Sequence, residues 1–285
     1  MSEVIKKIAV IGAGTMGHGI AHLAALHGFE TRLFDTATEA VERGLDRIKG
    51  NLQKGVDRGK VTSEAAAEAL TRLTGSADFA EATAGVQLVI EAVPERLELK
   101  QQLALDSFAG AGSDVVFASN TSSLSLTAIA SAAPRPEQVV GMHFFNPPHI
   151  MKLIEIVRAE QTSAQTLSRV VAVADALGRE HIVVSDSAGF ATSRLGLILG
   201  LEAMRMLEQG VASASEIDKA MELGYRHPMG PLKLTDLVGL DVRLAIAEHL
   251  FAEVGPQFRP PQILRRLVRA GKLGKKSGQG FYSWD

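Results

Sequence analysis

The chain has 285 residues, 46% hydrophobic and 22% charged, with a formal net charge of −2. That is enough to bury a large core and fill two domains, with no global pull toward nucleic acid or an anionic membrane. The absence of cysteine excludes disulfides, thiolate metal sites and a thiol nucleophile, and fits a reducing compartment. No stretch approaches about 18 uncharged apolar residues and the start resembles neither a signal nor a transit peptide, so a cytoplasmic protein without membrane partners is expected.

Residues 5–11 read as a buried strand, 12–28 as a turn and helix, and Thr31–Phe34 as a second strand, which makes a βαβ unit. Thr38–Lys60 carries a helical stripe of Val41, Leu45, Ile48, Leu52 and Val56. Gly44, Gly50, Gly55 and Gly59 weaken it, each by up to about 1 kcal/mol relative to alanine, so a mobile arm is expected there. Strands Val86–Glu91, Val115–Ser119 and Val139–Phe145 alternate with helices Glu98–Phe108 and Leu126–Ala132, the pattern of a parallel sheet with right-handed crossovers. An apolar run, Lys152–Val157, is followed by helix Ala164–Leu177 and strand His181–Val184. Beyond Gly189 the pattern is helical, over Arg194–Glu208, Ala214–Leu223, Leu232–Val254 and Ile263–Val268, and the domain boundary falls near Ser187.

Gly12-Ala13-Gly14-Thr15-Met16-Gly17 follows the first strand and opens the first helix, the context in which G-x-G-x-x-G binds a dinucleotide. Gly12 permits the tight turn, Gly14 admits a pyrophosphate to the backbone, and Gly17 allows close packing of the helix. The free amides and dipole of the helix N-terminus complement the phosphates. Asp35, ending the second strand, is placed for the ribose hydroxyls, and its charge repels a 2′-phosphate, so NAD is expected over NADP. The expected fold is α/β: a Rossmann-type, mostly parallel sheet over residues 1–186, then an all-α domain over 187–285.

Within His143–Val157 the chain runs through a strand, a loop with two prolines and a second apolar run that carries one acid. A reversal centred on His149 brings His143 opposite Glu155. A histidine held by a carboxylate is a proton-transfer device, although a structural pair would have the same spacing. Ser119-Asn120-Thr121-Ser122-Ser123 ends a strand with more short hydrogen-bonding side chains than a helix cap needs; one hydroxyl reads as a cap before Leu126, and contacts from the stretch, Asn120 and Ser122 among it, to nicotinamide ribose and substrate are expected. Lys54 and Arg58, at i, i+4, read either as a solvated helix face or as an anchor for a phosphorylated ligand tail. His18 and His22 share a helix face but lack a third ligand, so no metal is expected.

Together these segments resemble the L-3-hydroxyacyl-CoA dehydrogenases, most closely those acting on 3-hydroxybutyryl-CoA. The resemblance runs through VIGAGTMG, EAVPERLELK, ASNTSSLS, GMHFFNPPHIMKLIEIV, EIDKAM, HPMGPLKLTDLVGLD and GKKSGQGFY, and so spans the chain. It implies NAD as cofactor, an acyl-CoA substrate and a helical domain that forms a homodimer. It implies that His143 is the catalytic base, Glu155 its orienting partner and Ser122 a contact to substrate and cofactor. Glu95, Lys100, Asn146 and Lys276 are then cofactor contacts, and Lys54 and Arg58 meet the coenzyme A nucleotide. One position departs from the family: Ser193 stands where P-G-F-x-x-N-R has an asparagine near the substrate, and a hydroxyl cannot supply the paired geometry of an amide. Two other functions fit the same fold, a dehydrogenase of free 3-hydroxy acids and a non-catalytic NAD-binding protein.

Overall fold

The computed structural model describes residues 4–284. The chain divides after Asp186 into two compact units. The first contains, in order, β1 (Lys7–Ile11), α1 (Gly17–Leu26), β2 (Glu30–Phe34), α2 (Thr38–Asp57), α3 (Ser63–Thr71), β3 (Leu73–Ser76), α4 (Phe79–Thr83), β4 (Leu88–Glu91) and α5 (Leu97–Gly110). It continues with β5 (Val116–Ser119), α6 (Leu126–Ala130), β6 (Val139–Phe144), β7 (Leu153–Arg158), α7 (Ala164–Ala176) and β8 (Glu180–Ser185).

The eight strands form one sheet in the order β3-β2-β1-β4-β5-β6-β7-β8. Every neighbouring pair is parallel except β6–β7. Strands β4, β5 and β6 are buried along their whole length, which is why their sequences are apolar runs rather than alternations. The chain leaves β1 toward β2 on one side and returns to β4 on the other. That reversal opens a crevice at the strand C-termini.

One feature of this unit differs from the sequence expectation. The α3–β3–α4 segment is new: β3 is only Leu-Thr-Gly-Ser, too short and too polar on its own to signal a strand. Its Gly75 lies so close to Val41 that a side chain there would overlap it, so this glycine lets α2 pack against the sheet edge. The helical stripe expected over Thr38–Lys60 is a 20-residue helix, α2, with Val41, Ile48 and Leu52 buried. A Cβ on Gly44 would stand 2.8 Å from Leu33 and 3.1 Å from Ala13, so that glycine marks a close helix–sheet approach.

The second unit is helical: α8 (Thr192–Glu208), α9 (Ala214–Gly224), α10 (Pro231–Val238), α11 (Leu240–Glu253) and α12 (Gln262–Arg269). Leu197, Leu201, Met204, Ile217, Leu232, Leu240, Leu250 and Leu264 form its core. The helix expected over 232–254 is broken at Gly239, whose φ of 107° ends α10 and restarts the chain as α11. Buried Asp236 accepts hydrogen bonds from Phe281 N, Tyr282 N and Trp284 Nε1, and Asp218 accepts from Leu232 N, Lys233 N and the Tyr282 hydroxyl. These two acids fasten the C-terminal segment to α9 and α10. No helix among the described residues is long and apolar enough to cross a membrane.

Candidate active site

The glycine-rich loop shows three separate reasons for glycine. Gly12 has φ of +102° and its amide donates to Phe34 O at 2.8 Å, while an added Cβ would stand 2.8 Å from Ala92 O. A Cβ on Gly17 would overlap the Gly12 carbonyl, so that glycine seats the start of α1 under the loop. Nothing lies within 4 Å of the Cβ position of Gly14, which leaves open room beside the backbone. Helix α1 has no side-chain cap and no acid in its first turn, so its N-terminal amides remain available to an anion. Asp35 Oδ2 accepts from Ala13 N at 2.9 Å, tying the end of β2 to the loop through Ala13 just ahead of Thr15 and Met16. An open glycine, unclaimed amides and a carboxylate at the next strand tip together fit a dinucleotide.

The tips of β4 and β5 are joined through carboxylates. Glu91, fully buried, accepts from Lys100 Nζ and from Ser119 Oγ, both at 2.6 Å. Lys100 is 1% exposed and also reaches Glu95 at 3.1 Å. Glu95 in turn accepts from the Thr121 hydroxyl, from Ser122 N at 3.0 Å and from Ser123 N at 3.2 Å. Burial acts to raise the Glu95 pKa. The Lys100 charge, the Thr121 hydroxyl and the Ser122 amide outweigh it and hold the group below the usual carboxylate value. Lys100 thus braces Glu95, and Glu95 shapes the loop that carries Ser122. Glu91 escaped the sequence reading, because a strand-end acid gives no signal until its lysine, nine residues on, folds back over it.

Beside them lies the antiparallel pair. The register sets Gly141 opposite Val157 and His143 opposite Glu155, so both side chains leave the same face of the sheet. His143 Nδ1 lies 2.7 Å from Glu155 Oε2; the acid is fully buried and the histidine nearly so. The Phe145 ring packs 4.7 Å from the imidazole. Asn120 does not point outward from its loop: its Oδ1 accepts from Phe144 N at 2.9 Å, pinning the strand end next to His143. Asn146 is exposed in the loop that follows.

That loop packs on α1. A Cβ on Gly19 would meet Pro148 at 2.7 Å, and His149 stacks on His22 with ring centroids 4.8 Å apart and planes 13° from parallel. His22 and His149 line a cavity of about 580 Å³ together with Asn51, Lys54, Arg58 and Lys60. Lys54 and Arg58 therefore face a shared basic hollow rather than open solvent alone. In the helical unit, Ser193 sits half-buried in the first turn of α8, and Lys276 Nζ is 2.6 Å from Asp241 Oδ2. Among the described residues no group of three potential metal ligands is found.

Residues 7–187 match the NAD-binding domain of 3-hydroxyacyl-CoA dehydrogenase, and residues 189–284 match its C-terminal domain. The chain belongs to the 3-hydroxyacyl-CoA dehydrogenase family. A probable 3-hydroxybutyryl-CoA dehydrogenase of Bacillus subtilis is 42% identical over 99% of this chain and 98% of its own. A 3-hydroxybutyryl-CoA dehydrogenase of Mycobacterium tuberculosis is 41% identical over the full length of both. Among solved structures, the (S)-3-hydroxybutyryl-CoA dehydrogenase PaaH1 of Ralstonia eutropha superposes with a TM-score of 0.95 at 39% identity, covering 99% of each chain. The protein is an NAD-dependent 3-hydroxyacyl-CoA dehydrogenase, built as a mostly parallel NAD-binding sheet followed by a helical domain.

Proposed function

We propose that this dehydrogenase reversibly oxidises short L-3-hydroxyacyl-CoA thioesters such as 3-hydroxybutyryl-CoA, with His143 as the general base. The observation that carries this reading is the 2.7 Å contact between His143 Nδ1 and a fully buried carboxylate. With Nδ1 donating to Glu155, the lone pair of Nε2 is the one that accepts a proton. The substrate's C3 hydroxyl gives that proton to Nε2 as the C3–H bond breaks and a carbonyl forms. Bound NAD supplies the hydride acceptor. Glu155 keeps the tautomer and offsets the imidazolium charge that develops. Ser122, on the loop shaped by Glu95, orients the substrate oxygen, and Asn120, by pinning Phe144, keeps His143 in line.

Gly12–Gly17 would hold the pyrophosphate of the cofactor, with Asp35 toward the adenosine ribose and Glu95, Lys100 and Asn146 toward the nicotinamide half; Lys276 of the helical unit is a further cofactor contact in this reading. Lys54 and Arg58 take the coenzyme A phosphates, a role supported by the basic hollow they share. The same hollow favours a thioester over a free hydroxy acid, which has no phosphates to fill it. The names of the relatives support a short acyl chain. Oxidation of NADH with acetoacetyl-CoA, measured beside free acetoacetate, tests the reading. Turnover of the thioester alone is expected; equal turnover of the free acid would overturn it.

A further inference from the structure

The hollow between α1, α2 and the β6–β7 loop holds two imidazoles, His22 and His149, and among the described residues no carboxylate lines it. His143 has a buried acid on its Nδ1, whereas the Nδ1 atoms of His22 and His149 are buried without a hydrogen-bond partner. His22 is only 4% exposed, and a buried polar atom left in that way calls for an explanation. The rings stack with planes 13° apart, so deeply buried His22 forms the floor of the pair and half-buried His149 its outer member.

The charged and titratable groups that face this stack are all bases. From α1 come His18 and His27, and from α2 and the turn after it come Lys54, Arg58 and Lys60. Ahead of β8, Arg179 donates to the His149 carbonyl at 3.1 Å. The His149 pKa is lowered first by desolvation, then by His18 and Arg179. His22, deeper still, falls to about 4 and stays neutral at neutral pH. A phosphate entering such a hollow reverses the field, since an anion within about 4–6 Å favours the charged imidazole. Two stacked imidazolium ions would repel each other, so one ring takes the proton, and the less buried His149 is that ring.

We propose that His149 is a recognition residue for the coenzyme A phosphates, and that the His22–His149 stack takes up a proton as they bind. The inference rests on the reading that Lys54 and Arg58 meet those phosphates. It makes the nucleotide end of the substrate a proton-linked ligand, at a distance from the proton transfer at His143. Affinity is lowest at a pH where His149 is neutral in both the free and the bound protein. It rises as pH falls through the range where only the bound protein holds the proton.

The test is calorimetry of coenzyme A binding at pH 7 in two buffers of different ionisation enthalpy, which gives the protons taken up per ligand. The wild type should take up about a third to one proton, and its affinity should fall about two- to tenfold per unit rise in pH. The 3′-phosphate of the ligand has a second pKa of about 6, and a basic hollow strips its residual proton, so its own contribution has the opposite sign. His149→Gln should abolish the uptake and flatten the pH dependence. His149→Lys, charged throughout, should keep at pH 8 the affinity that the wild type reaches only near pH 6, again without uptake. No uptake by the wild type would overturn the proposal, and so would an uptake that persists in either variant. Unchanged coenzyme A affinity in Lys54→Ala with Arg58→Ala would overturn the placement of the phosphates in the hollow, and the proposal with it. Weakened binding in that double variant, with no proton uptake by the wild type, would overturn the role of His149 alone.

Discussion

His143 and Glu155 lie twelve residues apart in sequence, and strand parity alone decides that they meet. Side chains alternate along β6 and β7, so a pairing centred on His149 sets the two on one face. This part of the site was legible because the reversal is local and the intervening residues are few. His143→Gln keeps the strand and a hydrogen bond to Glu155 but removes the base, so kcat should fall by about 10²–10⁴-fold while NADH binding, followed by fluorescence, stays intact. An unchanged kcat would remove His143 from the reaction. Asp35 carries a second residue-scale prediction. Replacing it with serine, and Thr36 with arginine, should lower the NAD-to-NADP ratio of kcat/KM by about tenfold or more. The Ala13 amide loses its acceptor in that variant, so KM for NAD should rise as well. A ratio that does not move would place cofactor choice elsewhere. Glu95 and Lys100 were less legible: their sequence signal is a pair of charges on either side of a helix start, and only burial shows that one braces the other.

At the scale of elements, the contact between α1 and the β6–β7 loop makes the fold sensitive to acid. The pKa of His22 is lowered from 6.5 to about 4, first by burial and then by the charges of His149, His18, His27 and Arg179. The unfolded chain takes up this proton at a higher pH than the folded one, so acid favours unfolding. The stability is complete above about pH 6.5 and is lost as pH falls toward 4, by up to roughly 3 kcal/mol. Thermal unfolding between pH 7 and 4 should show that decline, and His22→Leu should flatten it; parallel curves would exclude His22 as the source. The pairing of His22 with His149 was not visible from sequence. The i, i+4 spacing of His18 and His22 gave no hint of it, because the partner comes from a loop far along the chain. The short strand β3 was hidden for a related reason, since its four residues become a strand only through pairing with β2. Helices α10 and α11 were read as one because a single residue, Gly239, is all that interrupts an otherwise continuous apolar stripe.

At the scale of the whole molecule, the two-part character was written in the change from alternating strands and helices to helices alone. What the helical part does with its surface was not. Leu195 and Leu199 lie one turn apart and exposed on α8, and Leu234, Leu237 and Val238 are exposed on α10, which packs against it. Apolar groups concentrated in this way mark a surface that becomes covered, and a symmetric second copy is the simplest cover for an enzyme of this size. Light scattering on the eluting protein should give twice the 30.3 kDa chain mass, and Leu195→Asp with Leu199→Asp should shift it toward the monomer. A monomeric mass for the wild type at micromolar concentration would refute the dimer.

The one antiparallel pairing in the sheet also bears on inheritance. Because β7 doubles back on β6, the acid and the base travel together in a stretch of chain shorter than a typical exon. The cofactor loop lies more than a hundred residues upstream. Recombination that exchanges the first βαβ unit can bring in a new nucleotide preference without separating the proton-handling pair. The packing of Pro148 and His149 on Gly19 and His22 of α1 is what such an exchange has to preserve.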